Sequence, residues 1–410
     1  MMTSGAAPKA LQGIKVLDLT QFEAGTTVTQ VLAWLGADVI KIEEPKAGDQ
    51  GRYASTNKPG VDSHYFILLN CNKRSVTLNL RDERGKEMLR RMIPQADIFI
   101  ENFAPGTIDR LGFSYDEVRA LNPRIIYTQV KGFSPEGPYG NYLAFDMIAQ
   151  AMGGIMSVTG EMDGPPMKVG PSLGDSGTSL HCLVGILAAL YQRTITGKGQ
   201  RIEIAMQDAM VGFLRVAVSN QYVLGKPYPR SGNYFRVGEV IAPGNSYPCK
   251  PFGPSDYCYI YSSRAHNKHW ESLLKAMGRE DLIGDPRFAT HAARNQRYQE
   301  VDEIIIKWTS TCSKHEVLQI LGEAGVPVGA VLDTEELMNS PDMRKRGIFA
   351  AIQHPVRGEL VVPGWPVKMS ESPVDVVTAP LLGQHNVEVY KEWLGLEEQE
   401  VARLRQEKVI

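Results

Sequence analysis

Gly13-Ile14-Lys15-Val16-Leu17-Asp18-Leu19 and, further on, Asp38-Val39-Ile40-Lys41-Ile42-Glu43 decide the fold class. Each is a short apolar run of the kind shown by a strand buried on both faces. Between them, residues 21–26 read as a turn and residues 28–35 as a helix, with Gly36 just past its last turn. Strand, turn, helix and strand in about 30 residues open a doubly wound α/β domain with a parallel sheet. The turn holds Gly25 but no G-x-G-x-x-G, so no nicotinamide or flavin is expected there.

The same alternation runs outward from this unit. Val76-Thr77-Leu78-Asn79-Leu80 reads as a strand, residues 81–93 as an amphipathic helix, and residues 96–101 as a strand closed by Asn102-Phe103. Pro105 opens a short helix carrying Ile108, Arg110 and Leu111. Strands are expected at 124–130 and 201–205, and helices at 144–152 and 207–224. Loops at the carboxyl ends of parallel strands form a ligand crevice, and here they carry Gly25, Arg81, Asn102, Phe103 and Gly132-Phe133. From Gly225 to Gly253 proline and glycine crowd the chain, which marks a boundary. The expected division is a large Rossmann-like domain over 1–225, a small α+β domain over 226–335, and a C-terminal return to the large domain over 336–410. The return holds two strands around Arg357-Gly358 and two charge-rich surface helices at 383–394 and 397–408.

The composition narrows the function. A net charge of −2 over 410 residues offers nothing to nucleic acid or an anionic membrane. No apolar run has the length of a membrane span, and residues 1–10 lack the apolar core of a secretory signal. Cys71, Cys182, Cys249, Cys258 and Cys312 are scattered and form no C-x-x-C. This suits a reducing cytoplasm and argues against disulfides or structural zinc. His266 and His269 have no ligand in register with them, so no metal is expected.

One stretch remains, Val169-Gly170-Pro171-Ser172-Leu173-Gly174-Asp175-Ser176-Gly177-Thr178-Ser179. It sets Asp175 between glycines at the mouth of a helix expected over 176–193. The apolar positions of that helix spread too widely for a surface helix and suggest burial on most sides. On the residues alone Asp175 reads as a helix cap that accepts backbone N–H groups and stays ionised. Gly174 and Gly177 would let a ligand approach the backbone.

Three ordered segments bring in a resemblance. They are Leu11–Leu19 with Leu32-Ala33-Trp34-Leu35-Gly36-Ala37-Asp38 through Glu43; Asn70 and Asn72-Lys73-Arg74-Ser75 with Glu101-Asn102-Phe103-Ala104-Pro105-Gly106; and Leu173-Gly174-Asp175-Ser176 with Gly197-Lys198-Gly199-Gln200-Arg201 and Asp208-Ala209. Together with Pro380-Leu381-Leu382-Gly383-Gln384-His385 they span nearly the whole chain, which resembles the family III CoA-transferases, the formyl-CoA:oxalate CoA-transferase group. The resemblance implies a Rossmann-like domain built from both chain ends, a smaller inserted domain, and an interlocked dimer. That dimer is either a homodimer or a heterodimer with a homologous subunit. It implies Asp175 as nucleophile, with CoA contacts at Ala24, Leu78, Asn79, Arg81, Asn102, Phe103 and Arg110. It implies no permanently bound cofactor or metal: a coenzyme A thioester and a carboxylate acceptor are the substrates, in the cytoplasm.

The departures from that family set further expectations. Glu23 and Ala24 stand where oxalate-using members carry Gln and Ser. Leu143 and Phe145 replace a Lys and a Tyr, and a run of four glycines is missing from 237–247. A Glu at 23 could repel a small dianion or orient a different acceptor. With Glu23 and Phe145 as substrate contacts, these changes suggest a larger acid such as a benzylsuccinate-like substituted succinate, with succinyl-CoA as donor. The alternatives are formyl-CoA:oxalate transfer and a 2-methylacyl-CoA racemase of the same fold. The racemase would need an Asp/His pair, and neither His64 nor His181 follows a matching motif. A silent CoA-binding partner subunit is argued against by Asp175.

Overall fold

The computed structural model describes residues 8–263 and 265–410, with Val237 in backbone alone; residues 1–7 of the polar start lie outside it. Six strands form one parallel sheet: β1 Lys15–Asp18, β2 Asp38–Glu43, β3 Arg74–Thr77, β4 Ile98–Glu101, β5 Ile126–Lys131 and β6 Gln200–Ala205. Their order is β3-β2-β1-β4-β5-β6. The order turns back between β1 and β4, and such a switch leaves a crevice at the carboxyl ends of both strands. The helices of this unit are α1 Ala24–Trp34, α2 His64–Leu69, α3 Glu83–Met92, α4 Thr107–Arg110, α5 Tyr115–Leu121, α6 Asp146–Met152, α7 Leu173–Thr196 and α8 Met206–Phe213.

Period-two alternation sorts the strand residues onto two cores. Leu17 pairs with Ile40 and Phe99, and Phe99 with Tyr127. These residues face one core with Leu89 and Met92 of α3. Phe99 and Tyr127 stack with centroids 5.3 Å apart. Val16, Val39, Ile98 and Ile126 face the other core with Val28 and Leu32 of α1 and Leu183 and Ile186 of α7.

The closing helices, Asn386–Leu394 and Glu398–Gln406, are not the surface helices expected. Val389, Tyr390, Trp393, Val401 and Leu404 are buried in the first core, and only the opposite faces carry the charge. Side chains at the start of the first helix cover the sheet edge at β3. Asn386 Oδ1 accepts the N–H of Thr77 (2.8 Å), its amide donates to Thr77 Oγ1 (2.8 Å), and His385 Nδ1 accepts the N–H of Ser75 (3.1 Å). Arg74 binds Asp38, Glu388 and Glu392 at 2.5–2.8 Å. An edge strand covered in this way no longer offers its N–H groups to another chain.

The chain forms two compact units. One comprises the chain up to Gly153, Gly170–Phe213 and Pro341–Ile410; the other comprises Gly154–Val169 and Leu214–Ser340. The helix expected over 207–224 is two helices, α8 and Arg215–Leu224, separated at Leu214. The second unit holds a three-stranded antiparallel sheet with Tyr257–Tyr261 in its centre, flanked by Gly244–Pro248 and Val328–Ala330. Its core joins Tyr247, Cys258 and Ile260 to Trp270, Leu273, Val301, Ile305 and Leu321.

By length and composition α7 could cross a membrane, but half of its most apolar window is buried. Its inner face packs in the second core. It is not enclosed on most sides, however. Leu180, Val184, Tyr191 and Ile195, spaced along one face, are 52–72% exposed.

Candidate active site

Three loops meet where the sheet order turns back: residues 19–23 after β1, 102–107 after β4, and the end of β5. The first is the most constrained. Asn102 clamps Gln21 with both side-chain atoms, accepting its N–H and donating to its carbonyl at 2.8 Å each. Asp49 Oδ1 accepts the N–H of Phe22 (3.1 Å). Lys41 Nζ donates to the carbonyl of Thr20 (2.7 Å) and Lys73 Nζ to that of Thr26 (3.0 Å). Both lysines are buried and paired, Lys41 with Asp49 (2.9 Å) and Lys73 with Asp18 (3.1 Å); Asn70 Oδ1 takes a further bond from Lys73 (2.8 Å). Buried ion pairs gain little net stability, because desolvation offsets their attraction. What these pairs do is fix backbone carbonyls on both sides of Phe22, which is held at a φ of 57°, a region rarely visited by residues other than glycine. The fixed turn delivers Glu23 and Ala24 to the cavity. Helix α1 therefore starts at Ala24, inside the stretch expected to be a turn.

Helix α7 brings the other half. Asp175 is its third residue, and Ser172, at the N-cap position, makes no capping bond. The cap comes from elsewhere: Asp146, the first residue of α6, accepts the N–H of Gly174 (2.7 Å) and is itself held by Gln150 (2.9 and 3.1 Å). The cap reading of Asp175 is thus overturned. The glycines beside it are also required by packing. A Cβ on Gly174 would lie 2.6 Å from the Asp146 carbonyl oxygen, and one on Gly177 would lie 2.6 Å from the Phe213 ring. The two helix starts are joined by Ser179, whose hydroxyl faces the Ala24 and Asp175 carbonyls. Ser176 adds a bond by donating to Glu23 Oε1 (2.9 Å).

Asp175 is not the readily ionised acid expected. Burial, then the nearby charges of Glu23 and Asp146, push its pKa up to about 7. Among the described residues its carboxylate has no hydrogen bond to offset this. Glu23 is also raised, by burial and by Asp146, against the hydroxyls of Ser176 and Ser172. Burial together with Glu23, Asp175 and Asp49 raises the Tyr65 phenol. Two carboxyls of one half-buried site, Asp175 and Glu23, thus hold their protons more tightly than free acids do, a mark of functional sites.

The cavity at this point holds about 530 Å³. Glu23, Ala24, Asn102, Phe103, Phe145 and Asp175 all line it, with Phe22, Tyr65, Tyr142 and Leu143. Phe22 and Phe145 meet edge to face at 6.1 Å. Lys131 is the one cation in the lining, and its ammonium is taken by Glu101 (2.7 Å) and the Phe103 carbonyl (2.8 Å). Four expected contacts are not in this lining. Leu78 is 2% exposed and its side chain belongs to the core; Asn79 donates from its backbone to the Val409 carbonyl (2.8 Å); Arg81 is exposed beyond the end of β3. Arg110 is exposed next to the rim, donating to Thr107 Oγ1 (2.9 Å), and Thr107 does line the cavity. Asp146, Tyr65 and the lysine pairs were not anticipated. The position of Asp146 at the start of a helix was the available signal for it; nothing local distinguishes Tyr65.

A doubly wound sheet with an acid at the start of a long helix, facing the switch-point cavity, defines an α/β enzyme. The chain belongs to CoA-transferase family III, whose sequence model matches residues 11–386. It is 45% identical to a formyl-CoA:oxalate CoA-transferase of Streptomyces avermitilis over 98% of this chain and 100% of that one. The same identity and coverage of 98% and 99% hold for a Streptomyces coelicolor protein of that name. The crystal structure of a CAIB/BAIF family protein from Brucella suis superposes with a TM-score of 0.84 at 33% identity, covering 94% of this chain and all of the other.

Proposed function

We propose that this CoA-transferase moves CoA from formyl-CoA to oxalate, with Asp175 as the nucleophile. The names of relatives 45% identical along the full chain support the substrates. The observation that carries the residue is an acid at the head of α7, facing a switch-point cavity and free of any capping duty. The larger-acid expectation rests on Glu23, Leu143, Phe145 and the missing glycine run in 237–247, and no relative reported above supports succinyl-CoA or benzylsuccinate. The racemase reading lacks its histidine: neither His64 nor His181 lines the cavity, and His181 Nδ1 contacts the Gly177 carbonyl (2.8 Å).

The chemistry runs through four acyl transfers. Ionised Asp175 attacks the formyl-CoA carbonyl and expels CoA thiolate, leaving a mixed anhydride. The thiolate attacks the Asp175 acyl carbon and releases formate, giving an aspartyl-CoA thioester. An oxalate oxygen attacks that thioester, forming a second anhydride and freeing the thiolate again. Attack of the thiolate on the oxalyl carbon then yields oxalyl-CoA and returns Asp175. An acyl-aspartate lies near a thioester in free energy, so each step is close to balanced. Phe22, Leu143 and Phe145 give the cavity an apolar wall, and water must be kept from the anhydride while it stands.

Asn102 and Phe103 hold the thiol arm of CoA, and Arg110 pairs with a phosphate outside the rim. A second copy of the chain covers the exposed apolar face of α7, and the two chains interlock. Incubating the protein with formyl-CoA, trapping with hydroxylamine and locating the adduct by mass spectrometry tests the nucleophile; modification at Asp175 is expected. Full transferase activity in Asp175→Ala would sink the mechanism. Comparing kcat/KM for oxalate with formyl-CoA against benzylsuccinate with succinyl-CoA tests the substrates, and preference for the second pair would overturn the assignment.

A further inference from the structure

The cavity poses a charge problem that rests on the transferase reading. Its acceptor is a carboxylate, yet its lining offers no free cation, because Lys131 is already paired with Glu101 and the Phe103 carbonyl. When the acceptor arrives Asp175 is a thioester and carries no charge. The ionisable side chains that then line the cavity are Glu23 on the β1 loop, Tyr65 on α2, whose phenol burial keeps neutral, Tyr142 and the paired Lys131; Asp146, at the head of α6, lies outside the lining and acts on Glu23 through its charge. Asp146 is committed to the Gly174 N–H and the Gln150 side-chain amide. An ionised Glu23 would set a negative charge beside that of the incoming carboxylate. Among the described residues of the lining, Glu23 is the carboxyl that remains once Asp175 is acylated: it is half-buried and has the Ser176 hydroxyl at 2.9 Å, which can turn to donate or accept.

We propose that Glu23 determines acceptor capture and does so in its protonated form, donating a hydrogen bond from its carboxyl O–H to the incoming carboxylate. Burial and the Asp146 charge, which both favour the neutral acid, support this. Neutral Glu and neutral Gln offer the same kind of donor, so the substitution relative to oxalate-using members keeps the contact and makes it dependent on pH. The two half-reactions then respond to pH in opposite directions. Attack on the donor thioester needs Asp175 ionised and speeds up toward pH 7 and above. Acceptor capture needs Glu23 protonated and slows as that proton leaves.

In steady-state kinetics with formyl-CoA and oxalate between pH 5 and 9, kcat/KM for oxalate is expected to fall about tenfold per pH unit along its alkaline limb. The value for formyl-CoA should show no such limb. In Glu23→Gln the oxalate limb should flatten. A limb that persists in Glu23→Gln, or an oxalate profile in the unaltered protein that follows the formyl-CoA profile, would overturn the role of Glu23. The second comparison needs no variant, so misfolding of Glu23→Gln does not shield the proposal. Absence of an adduct on Asp175 with formyl-CoA would instead overturn the transferase mechanism. An adduct formed normally while the oxalate limb is missing overturns only the inference about Glu23.

Discussion

Asp175 shows at the scale of one residue how a tertiary neighbourhood changes what a side chain is. In sequence it is a helix-start acid that should cap the helix and stay ionised. In the fold, Asp146 takes the capping bond and Asp175 is left beside two other carboxyls, which with burial hold its pKa near 7. The unfolded chain releases this proton near the ordinary value of 3.8, whereas the folded protein keeps it up to about pH 7. Folding therefore takes up a proton between those values, and the stability contributed by the group, full at low pH, is lost as pH rises through about 7. Asp175→Asn should accordingly raise Tm at pH 8, by about 2–4 °C, and change it little at pH 4; equal shifts at both pH values in thermal melts would contradict the assignment. Gly199 is a second case. It sits in the Gly-Lys-Gly-Gln-Arg segment that pointed to the family, and the reason for it is steric: a Cβ would collide with the Ile125 carbonyl oxygen where β6 joins β5. Gly199→Ala is expected to cost about 1–3 kcal/mol in urea denaturation. The motif was visible in sequence, but its cause was not.

At the scale of elements, the β1 loop is held by groups that come from β2, the loop after it, the residue before β3 and the loop after β4. Lys73 was part of a quoted motif with no role attached. It now reads as a buried cation joining Asp18, Asn70 and the Thr26 carbonyl. Lys73→Met leaves the Asp18 carboxylate buried without its partner, a loss of about 3–5 kcal/mol. Because the same bond orients the start of α1, the kcat of any surviving protein should fall as well. Wild-type stability in chemical denaturation would remove the basis for this role. Strand positions and the parallel order of the first unit were legible because a fully buried strand must be apolar on both faces. The single long helix expected over 207–224 was not correct. The break at Leu214 falls where the two compact units divide; no proline marks it, and Gly212 just before it lies inside α8.

For the whole molecule, the face of α7 that carries Leu180, Val184, Tyr191 and Ile195 is the main departure from an enclosed core. Such a row of exposed apolar side chains is usual for an interface and costly in water. If a second copy covers it, light scattering should give a mass of twice 45.3 kDa. Val184→Asp, which sets a charge in the middle of the row, should lower that mass and the yield of active protein. A monodisperse and active single chain would refute the interlocked pair. The closing helices make the converse point: what looked like charged surface helices complete the core under β3.

The sequence by itself determined the parallel sheet, the family and the acid at the head of α7, because each is written in local patterns: apolar runs, glycine spacing and an ordered set of short motifs. Only the tertiary structure decided that Asp146 caps that helix and that Glu23 faces Asp175. It alone places Leu78, Asn79 and Arg81 outside the cavity, and the two buried lysines beneath the turn. The physical reason is that proton affinity, desolvation and hydrogen-bond satisfaction depend on which groups are close in space. The groups that matter here come from β1, α2, α6 and α7, which meet only because the sheet order turns back between β1 and β4.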